Sequence, residues 1–346
     1  MDKKKILTVF SGGTICTRVR NGVMDTDKSA SSALIDFYKK SSSFCKDEVS
    51  FKEGESFHIL SENMSIRNWN RLISYFAKNI EEFKNYDGII VAHGTDTLAY
   101  STALFSLLLK GFQVPVIFVS SNFPIMNEDG SPNEQANGSD NFKAAVECIY
   151  SGLASGLYAT YKNPKDGKMY LHKGAHLIQC AIYDDNFYSK DPVDITDFKG
   201  ELLKGLWQEK KDGKDNMLIL RFKDTCLKGG ILKINPYPGI DYSLYKLDGV
   251  RAVFHGTYHS GTSPVIINQK DKEYDQSSVL YLIDKCAEMD IPFYYSPSLT
   301  GEGFSVYASV PYIENHIVNG NNPVILYGDT DELVYAKLLI KYSLDI

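Results

Sequence analysis

The sequence contains no hydrophobic run that approaches the roughly 20 apolar residues of a membrane helix. The apolar run after Lys5 lasts only five residues, so we expect no signal peptide, no membrane partner and a cytoplasmic location. Basic residues are not in excess, because 37 Lys and Arg stand against 43 Asp and Glu, for a net charge of −6. Since the basic residues form no stripe along the chain, we expect no nucleic-acid partner.

Patterns typical of disulfide frameworks and metal sites are also missing. The six cysteines show no C-x-x-C spacing, which favours reduced thiols in a cytoplasmic protein. The seven histidines form no H-E-x-x-H or comparable set, so we expect no metal site, and no cofactor is implied.

Alternating strand-like and helix-like segments fill the 346 residues. This alternation predicts an α/β fold with a larger N-terminal domain, built on a doubly wound and mostly parallel sheet, and a smaller C-terminal α/β domain. We expect a catalytic domain over residues 1–190, a polar linker over 191–216 and the C-terminal domain over 217–346. The predicted strands include 6–10, 57–60, 88–92, 114–120, 217–222, 250–255 and 291–296, and the predicted helices include those that follow Ser65 and Ser139, 277–289 and 330–342.

The first motif that carries chemistry is Ser11-Gly-Gly-Thr14-Ile15, directly after strand 6–10. In open α/β sheets, ligands bind where parallel strands end and the chain turns. The glycines allow close approach of a ligand, and their N–H groups suit an oxyanion beside Thr14. A plain tight turn is the alternative, while a phosphate-binding loop lacks its G-x-x-x-x-G-K-[ST] pattern.

The second motif is His93-Gly94-Thr95-Asp96-Thr97, between strand 88–92 and a helix. Thr95 or Asp96 is a candidate N-cap of that helix. The positive end of the helix also favours a ligand there, and Asp96 is suited to accept a ligand ammonium or to orient a hydroxyl. His93 is more typical of a structural histidine than of a base.

The third motif, Leu60-Ser61-Glu62-Asn63-Met64-Ser65, is another loop at a strand end. Ser61 is suited to donate to a ligand carboxylate and Glu62 to accept from an ammonium, while simple helix capping by Ser61 or Ser65 is the alternative. A threonine nucleophile needs a neighbour that takes its proton. Lys173 is one candidate base, although nothing local distinguishes it from the other basic residues.

Taken together, G-G-T-I, S-E-N-M and H-G-T-D-T closely resemble the L-asparaginase/glutaminase family of threonine amidohydrolases, and the resemblance extends over essentially the whole chain. It implies that Thr14 is the acyl-accepting nucleophile. It further implies a Thr95–Lys173–Asp96 triad. The positions that the resemblance assigns to substrate binding are Gly13, Ser61, Glu62, Gly94 and Asp96.

The loop after G-G-T-I departs from this family. Family members carry a tyrosine there that helps to activate the first threonine, but residues 16–25 contain none, and the nearest equivalents are Val23 and Met24. The S-E-N-M form and this loop also resemble the amidase subunit of archaeal-type glutamyl-tRNA amidotransferases. Because the first strand begins near residue 6, we expect no additional N-terminal domain of the kind those subunits carry.

We therefore expect an amidohydrolase that converts L-asparagine to L-aspartate and ammonia through a threonyl acyl-enzyme, with glutaminase activity linked to Glu62. The alternatives are an amidase that supplies ammonia to a partner or acts on a modified asparagine, and a low-turnover sensor of asparagine or aspartate. The partners we expect are a small amino-acid amide and further copies of the chain, as a homodimer or homotetramer. In such an assembly, loops 258–262 and 298–302 are candidates to complete a neighbour's site.

Overall fold

The computed structural model describes residues 3–20, 23–26, 28–197, 217–266, 274–296, 309–318 and 322–346. The chain divides into two compact units, Met1–Leu227 and Lys228–Ile346, and the predicted α/β fold class is confirmed. Among the described residues, no helix is long and apolar enough to cross a membrane.

The first unit is built around a seven-stranded sheet in the order β11-β8-β7-β6-β5-β1-β4. Strands β4, β1, β5, β6 and β7 are parallel, whereas β8 is antiparallel to both β7 and β11. The strands of this unit are β1 (Lys4–Gly12), β2 (Thr17–Arg20), β3 (Val23–Thr26), β4 (Val49–Ile59), β5 (Gly88–Ala92), β6 (Val116–Val119), β7 (Leu157–Lys162), β8 (Met169–Lys173), β9 (Leu177–Ile178), β10 (Tyr188–Ser189) and β11 (Val193–Asp194).

Helices cover both faces of this sheet. They are α1 (Lys28–Lys40), α2 (Ile66–Phe83), α3 (Leu98–Leu108) and α4 (Gly138–Tyr150). Helices α1 and α4 share a buried cluster with Ile6 and Ile90, whereas Phe76 of α2 and Phe105 of α3 pack edge to face with each other. Strands buried on both faces form continuous apolar runs, which is why β1 and β5 could be predicted from the sequence.

Strand β1 lies at the point where the direction of winding reverses. Helix α1 connects β1 to β4 on one side, and α2 carries the chain back across β1 to β5 on the other side. The carboxyl ends of β4, β1 and β5 are neighbours, since Gly12 pairs with Ile59 and Phe10 with Ala92. This topological switch point is the usual ligand-binding crevice of an open α/β sheet.

The second unit contains a four-stranded parallel sheet in the order β12-β13-β14-β15. Its strands are β12 (Ile231–Ile234), β13 (Ala252–His255), β14 (Phe293–Tyr295) and β15 (Val324–Ile325), and its helices are α5 (Val279–Glu288), α6 (Ser309–Glu314) and α7 (Asp331–Leu344). Thr330 caps α7 by accepting from the N–H of Leu333 at 3.2 Å. The predicted closing helix is therefore present.

Four local predictions need correction. Segment 217–222 is not a strand but a 3-10 helix, Leu218–Lys223, because the buried Ile219 and Phe222 are three residues apart and share one side of it. Its place in the first unit moves the division between the units to Leu227, beyond the predicted 217. Helix α4 begins after Asn137 rather than Ser139. Of the predicted linker 191–216, strand β11 is part of the sheet and residues 198–216 lie outside the described residues.

Candidate active site

Two glycines hold the ends of β1 and β5 in direct contact. A Cβ atom on Gly13 would lie 2.0 Å from the Cα of Gly94, so only glycine fits at this position. Gly13 also has a φ of 78°, in the left-handed region that favours glycine. Because Thr14 and Thr95 each follow one of these glycines, the structure brings the two predicted threonines to the same point of the switch crevice.

The turn that carries Thr14 is anchored to the neighbouring strand β4. The N–H of Gly13 donates to the carbonyl of Ile59 at 2.8 Å, and a 3-10 turn, Thr14–Cys16, follows directly. The hydroxyl of Thr17 donates to the Thr14 carbonyl at 2.8 Å and closes this turn. Ile15 and Cys16 are buried while Thr14 is partly exposed, so Thr14 is the residue of this turn that is accessible from outside.

Ser61 and Asp96 join the loops that follow β4 and β5. The Ser61 hydroxyl donates to Oδ2 of Asp96 at 2.5 Å, and the Thr97 hydroxyl donates to the Ser61 carbonyl at 3.3 Å. A Cβ atom on Gly94 would lie 2.2 Å from the Cβ of Ser61, so the three loops are packed without a gap. Ser61 is buried and Asp96 is exposed, which leaves the carboxylate open to a ligand on the side away from Ser61.

Glu62 lies beside this pair, in the 3-10 turn Ser61–Asn63, and it is exposed. The site thus combines two hydroxyl groups, the Ser61–Asp96 pair and a second carboxylate around the Gly13–Gly94 contact. Two carboxylates and a serine hydroxyl suit the ammonium and carboxylate of an amino acid, and a threonine hydroxyl suits attack on an acyl carbon.

His93 is a structural residue of the second motif, as the sequence indicated. It is fully buried, and its Nδ1 lies 2.8 Å from the Gly94 carbonyl, which only accepts, so Nδ1 carries the proton. Burial lowers the pKa of His93 to about 4, although the bond to Gly94 acts in the opposite direction. The imidazole is therefore neutral near pH 7 and holds the backbone just before Thr95.

The predicted capping of α3 is wrong. Thr97, rather than Thr95 or Asp96, is the N-cap residue, and its side chain makes no capping hydrogen bond. Thr95 and Asp96 lie instead in a separate 3-10 turn, Thr95–Thr97, before the helix. Neither of their side chains is needed to start the helix.

Lys173, the predicted third member of the triad, lies at the carboxyl end of β8, directly before the 3-10 turn Gly174–His176. Strand β8 is antiparallel, so Lys173 at its carboxyl end pairs with Tyr158, two residues before Thr160. In the register of the sheet, Thr160 of β7 pairs with Val119 of β6, and Val119 pairs with Ala92 at the end of β5. This register fixes only the backbone level of Lys173 in the sheet, and the triad with Thr95 and Asp96 stays a prediction.

Two residues that the sequence did not single out also approach the site. Gln179 follows β9, and its Nε2 donates to the Thr95 carbonyl at 2.8 Å. Cys180 is half-buried beside it, with Nε2 of Gln179 3.3 Å from its sulfur. Burial raises the pKa of the Cys180 thiol, the bond from Gln179 lowers it, and the charge of Asp96 raises it again, so this thiol lies within the field of Asp96. No local sequence pattern marks either residue.

The predicted loops of the second unit are only partly described. In 258–262, the N–H of Tyr258 donates to the Thr262 carbonyl at 2.8 Å, and the hydroxyls of Ser260 and Thr262 are 2.8 Å apart, so the loop closes on itself. Loop 298–302 lies outside the described residues. In the part of the chain that the structure describes, no group of three or more His, Cys, Asp or Glu is suited to a metal ion.

The fold and the site define a class: an α/β protein of two units with two threonine-bearing turns and a serine–aspartate pair at the switch point of its larger sheet. Residues 5–159 match the model of the asparaginase family's N-terminal domain. Over these residues, which are just under half of the chain, the sequence is similar to the asparaginase family.

Curated relatives of the chain include glutamyl-tRNA(Gln) amidotransferase subunits of two archaea. The Methanosarcina acetivorans protein is 28% identical over 172 residues, which cover 49% of this chain and 37% of that protein. The Saccharolobus solfataricus protein is 25% identical over 252 residues, which cover 69% of this chain and 51% of that protein. The chain thus spans about a third to a half of the length of the curated relatives that it matches.

Solved structures with the same fold include two L-asparaginases. L-asparaginase I of Vibrio cholerae has a TM-score of 0.65 at 18% identity, with 99% of this chain and 94% of that chain covered. The thermostable L-asparaginase of Thermococcus kodakarensis has a TM-score of 0.68 at 19% identity, with 98% and 93% covered. At this identity the likeness shows the fold alone.

Proposed function

We propose that the protein is an amidohydrolase that converts L-asparagine to L-aspartate and ammonia. The observation that carries this proposal is the Ser61–Asp96 hydrogen bond of 2.5 Å beside the Gly13–Gly94 contact. This bond joins Ser61, which suits the α-carboxylate of an amino acid, to Asp96, which suits its α-amino group. Thr14 and Thr95 follow the two contacting glycines beside this pair. The match of residues 5–159 to the asparaginase family supports the same chemistry.

Substrate binding uses charge complementarity in this proposal. The exposed carboxylate of Asp96 accepts hydrogen bonds from the substrate ammonium, and the Ser61 hydroxyl turns to donate to the substrate carboxylate. Glu62 provides a second acceptor for the ammonium at the rim of the site. These contacts direct the amide side chain of the substrate towards the two glycines.

Acyl transfer proceeds through Thr14. Its Oγ1 attacks the amide carbon, the C–O bond forms and the C–N bond breaks, and the nitrogen leaves as ammonia with the proton that the hydroxyl gave up. Water then hydrolyses the threonyl ester, which regenerates Thr14 and releases aspartate. Backbone N–H groups next to the glycines stabilise the oxyanion, and Thr95 orients the attacking water.

Lys173 is the candidate base of this proposal, paired with Thr95 and Asp96 as the family resemblance implies. In this proposal Thr95, deprotonated through Lys173 and held by Asp96, takes part in the proton transfer from Thr14 and in activation of the water. The absence of the family's loop tyrosine from residues 16–25 favours modest turnover.

Two features bear on specificity and assembly. Glu62 favours appreciable glutaminase activity. One extra methylene in a pocket changes kcat/KM by only about 10–200-fold. A kcat/KM for asparagine that exceeds the value for glutamine by far more than about a thousand-fold would contradict this assignment. We further propose a cytoplasmic homodimer or homotetramer in which loop 258–262 of one copy completes the site of another. Light scattering combined with activity on dilution tests this, and a fully active monomer would contradict it.

A second candidate function is an amidase that supplies ammonia to a partner or acts on a modified asparagine. It is favoured by the curated relatives, which are named as amidotransferase subunits. A third is a low-turnover sensor of asparagine or aspartate, which is favoured by the absence of a tyrosine from residues 16–25. Co-purification with a synthetase-like partner supports the second, and tight aspartate binding without ammonia release supports the third.

Ammonia release from a panel of amides by the purified protein tests the proposal. We expect steady release from L-asparagine, slower release from L-glutamine and little from acetamide, which lacks the groups that Ser61 and Asp96 recognise. Equal rates for asparagine and acetamide would contradict the assigned roles of Ser61 and Asp96.

A further inference from the structure

Helix α3 lacks a cap of its own at the end that faces the candidate site. Its N-cap residue, Thr97, makes no side-chain capping bond, and its first turn contains no acidic residue. The first N–H groups of a helix have no partner within the helix and need acceptors from elsewhere. The turn with Thr95 and Asp96 joins directly onto this uncapped end.

Gln179 supplies the missing acceptor from a distant part of the chain. Its Oε1 accepts from the N–H of Ala99 at 3.2 Å, at the second helical position, where an N-cap side chain normally accepts. Its Nε2 donates to the carbonyl of Thr95 at 2.8 Å. Both polar atoms of one amide therefore hold the segment that contains Thr95 and Asp96.

The segment that presents Gln179 is firmly packed against α3. A Cβ atom on Gly174 would lie 2.3 Å from Cδ2 of Leu157 and 3.2 Å from Cβ of Thr102, so this turn touches the helix. Leu177, two residues before Gln179, is fully buried. Gln179 thus extends from a packed base, and the position of its amide is fixed relative to the helix.

We propose that Gln179 is a positioning residue of the amidase reaction, which holds the Thr95–Asp96 turn in its productive geometry. This inference rests on the proposed function. A carboxamide neither gives nor takes a proton near neutral pH, so Gln179 acts through geometry and not as an acid or base. Displacement of a reacting group by about 1 Å lowers the rate by up to about 100-fold, so loss of the Gln179 hydrogen bonds should have a large effect on activity.

Two substitutions separate the helix cap from the bond to Thr95. In Gln179→Glu, the carboxylate still accepts from Ala99 at the positive end of the helix, but it cannot donate to the Thr95 carbonyl. In Gln179→Met, a side chain of similar length makes neither bond. The matched control is Gln113→Met, which removes a 2.7 Å bond from an exposed glutamine amide to the Gly111 carbonyl outside the site.

We expect Gln179→Glu to keep the wild-type Tm while kcat/KM for asparagine falls by about 10–100-fold. Gln179→Met should lose both activity and several degrees of Tm, and Gln113→Met should keep its activity. Wild-type kcat/KM in Gln179→Glu would overturn the proposal, as would an activity loss in both variants that merely follows the fraction of folded protein.

Hydrogen exchange distinguishes this proposal from the proposed function itself. If the wild-type protein releases no ammonia from any amide, the proposed function fails. Hydrogen exchange at the Ala99 amide then still tests whether Gln179 holds the turn before α3. That amide should be protected in the wild type and in Gln179→Glu, and should exchange faster in Gln179→Met. Equal exchange in all three proteins would show that Gln179 does not hold this end of α3, and would overturn the proposal.

Discussion

The hydroxyl of Ser61 donates a 2.5 Å hydrogen bond to the carboxylate of Asp96, and this bond connects the loops that follow β4 and β5 across the end of β1. Three adjacent parallel strands thereby contribute to one polar site. A serine and an aspartate 35 residues apart in sequence act as a unit, which has consequences for how their substitutions combine.

Substitutions of Ser61 and Asp96 should not be additive. Asp96→Asn removes the charge that holds the ammonium and should weaken aspartate binding by about 1.5–3 kcal/mol. Ser61→Ala should cost less, because its hydroxyl gives up the bond to Asp96 in order to donate to the ligand, and this exchange couples the effects of the two substitutions. Calorimetric titration with aspartate measures this.

The control for this pair is Ser243 and Asp241, which form a comparable bond of 2.6 Å in the second unit. Ser243→Ala and Asp241→Asn should leave aspartate affinity unchanged. Strictly additive losses for Ser61→Ala and Asp96→Asn would show that the two residues bind the ligand independently.

Gly13→Ala should destabilise the first unit far more than a glycine substitution at an open position. Its Cβ would overlap Gly94, and overpacking of this kind costs about 1–3 kcal/mol in addition to the backbone cost. Gly152 has a similar φ of 80° with nothing within 4 Å, so Gly152→Ala should cost only the backbone term of about 1–2 kcal/mol. Urea unfolding compares the two, and equal losses would contradict the tight Gly13–Gly94 contact.

The thiol of Cys180 should report on the charge of Asp96. Burial is the largest cause of the raised pKa of Cys180, and the negative charge of Asp96 adds to it. Asp96→Asn should therefore lower the pKa of this thiol and speed its alkylation. Peptide mass spectrometry measures the rate at Cys180 relative to Cys226, an exposed cysteine in the same chain. An unchanged ratio would mean that Asp96 and Cys180 are not neighbours.

Stability should fall as the pH decreases from about 6.5 towards 4. Burial lowers the pKa of His93, His172 and His255 to about 4 each, so below 6.5 the unfolded chain binds protons that the folded protein does not. Each histidine then contributes a slope of up to about 1.4 kcal/mol per pH unit.

Urea unfolding between pH 7 and pH 5 measures this slope. Replacement of one buried histidine, His172→Gln, should reduce the slope, whereas replacement of the exposed His259 by glutamine should not. A free energy of unfolding that stays constant over this range would contradict neutral burial of the three imidazoles.

The elements that could be predicted from the sequence are those determined by local pattern. Strand β5 was predicted at its observed bounds because five consecutive apolar residues are buried on both faces of a parallel sheet. Ser65 was predicted as the cap of α2, and it accepts from the N–H of Asn68 at 3.3 Å. The three motifs at strand ends converge because adjacent parallel strands end at the same edge.

The features that were missed depend on tertiary structure. The antiparallel direction of β8 is not encoded locally in its residues. The contact of Gln179 with Thr95 joins residues 84 apart, through a turn that has no recognisable motif. Apolar residues at 217–222 suit a strand as well as a short helix, and packing decides between the two.

The central claim is that Thr14 forms a covalent ester with the acyl group of an amino-acid amide. Rapid quenching of the protein during turnover of L-asparagine, followed by peptide mass spectrometry, tests it most directly. We predict a β-aspartyl adduct on the peptide that contains Thr14, and no adduct in Thr14→Ala. The Thr14→Ala variant should also lose several kcal/mol of transition-state stabilisation, whereas the control Thr225→Ala should not. Wild-type ammonia release by Thr14→Ala, or an adduct on a different peptide, would contradict the account.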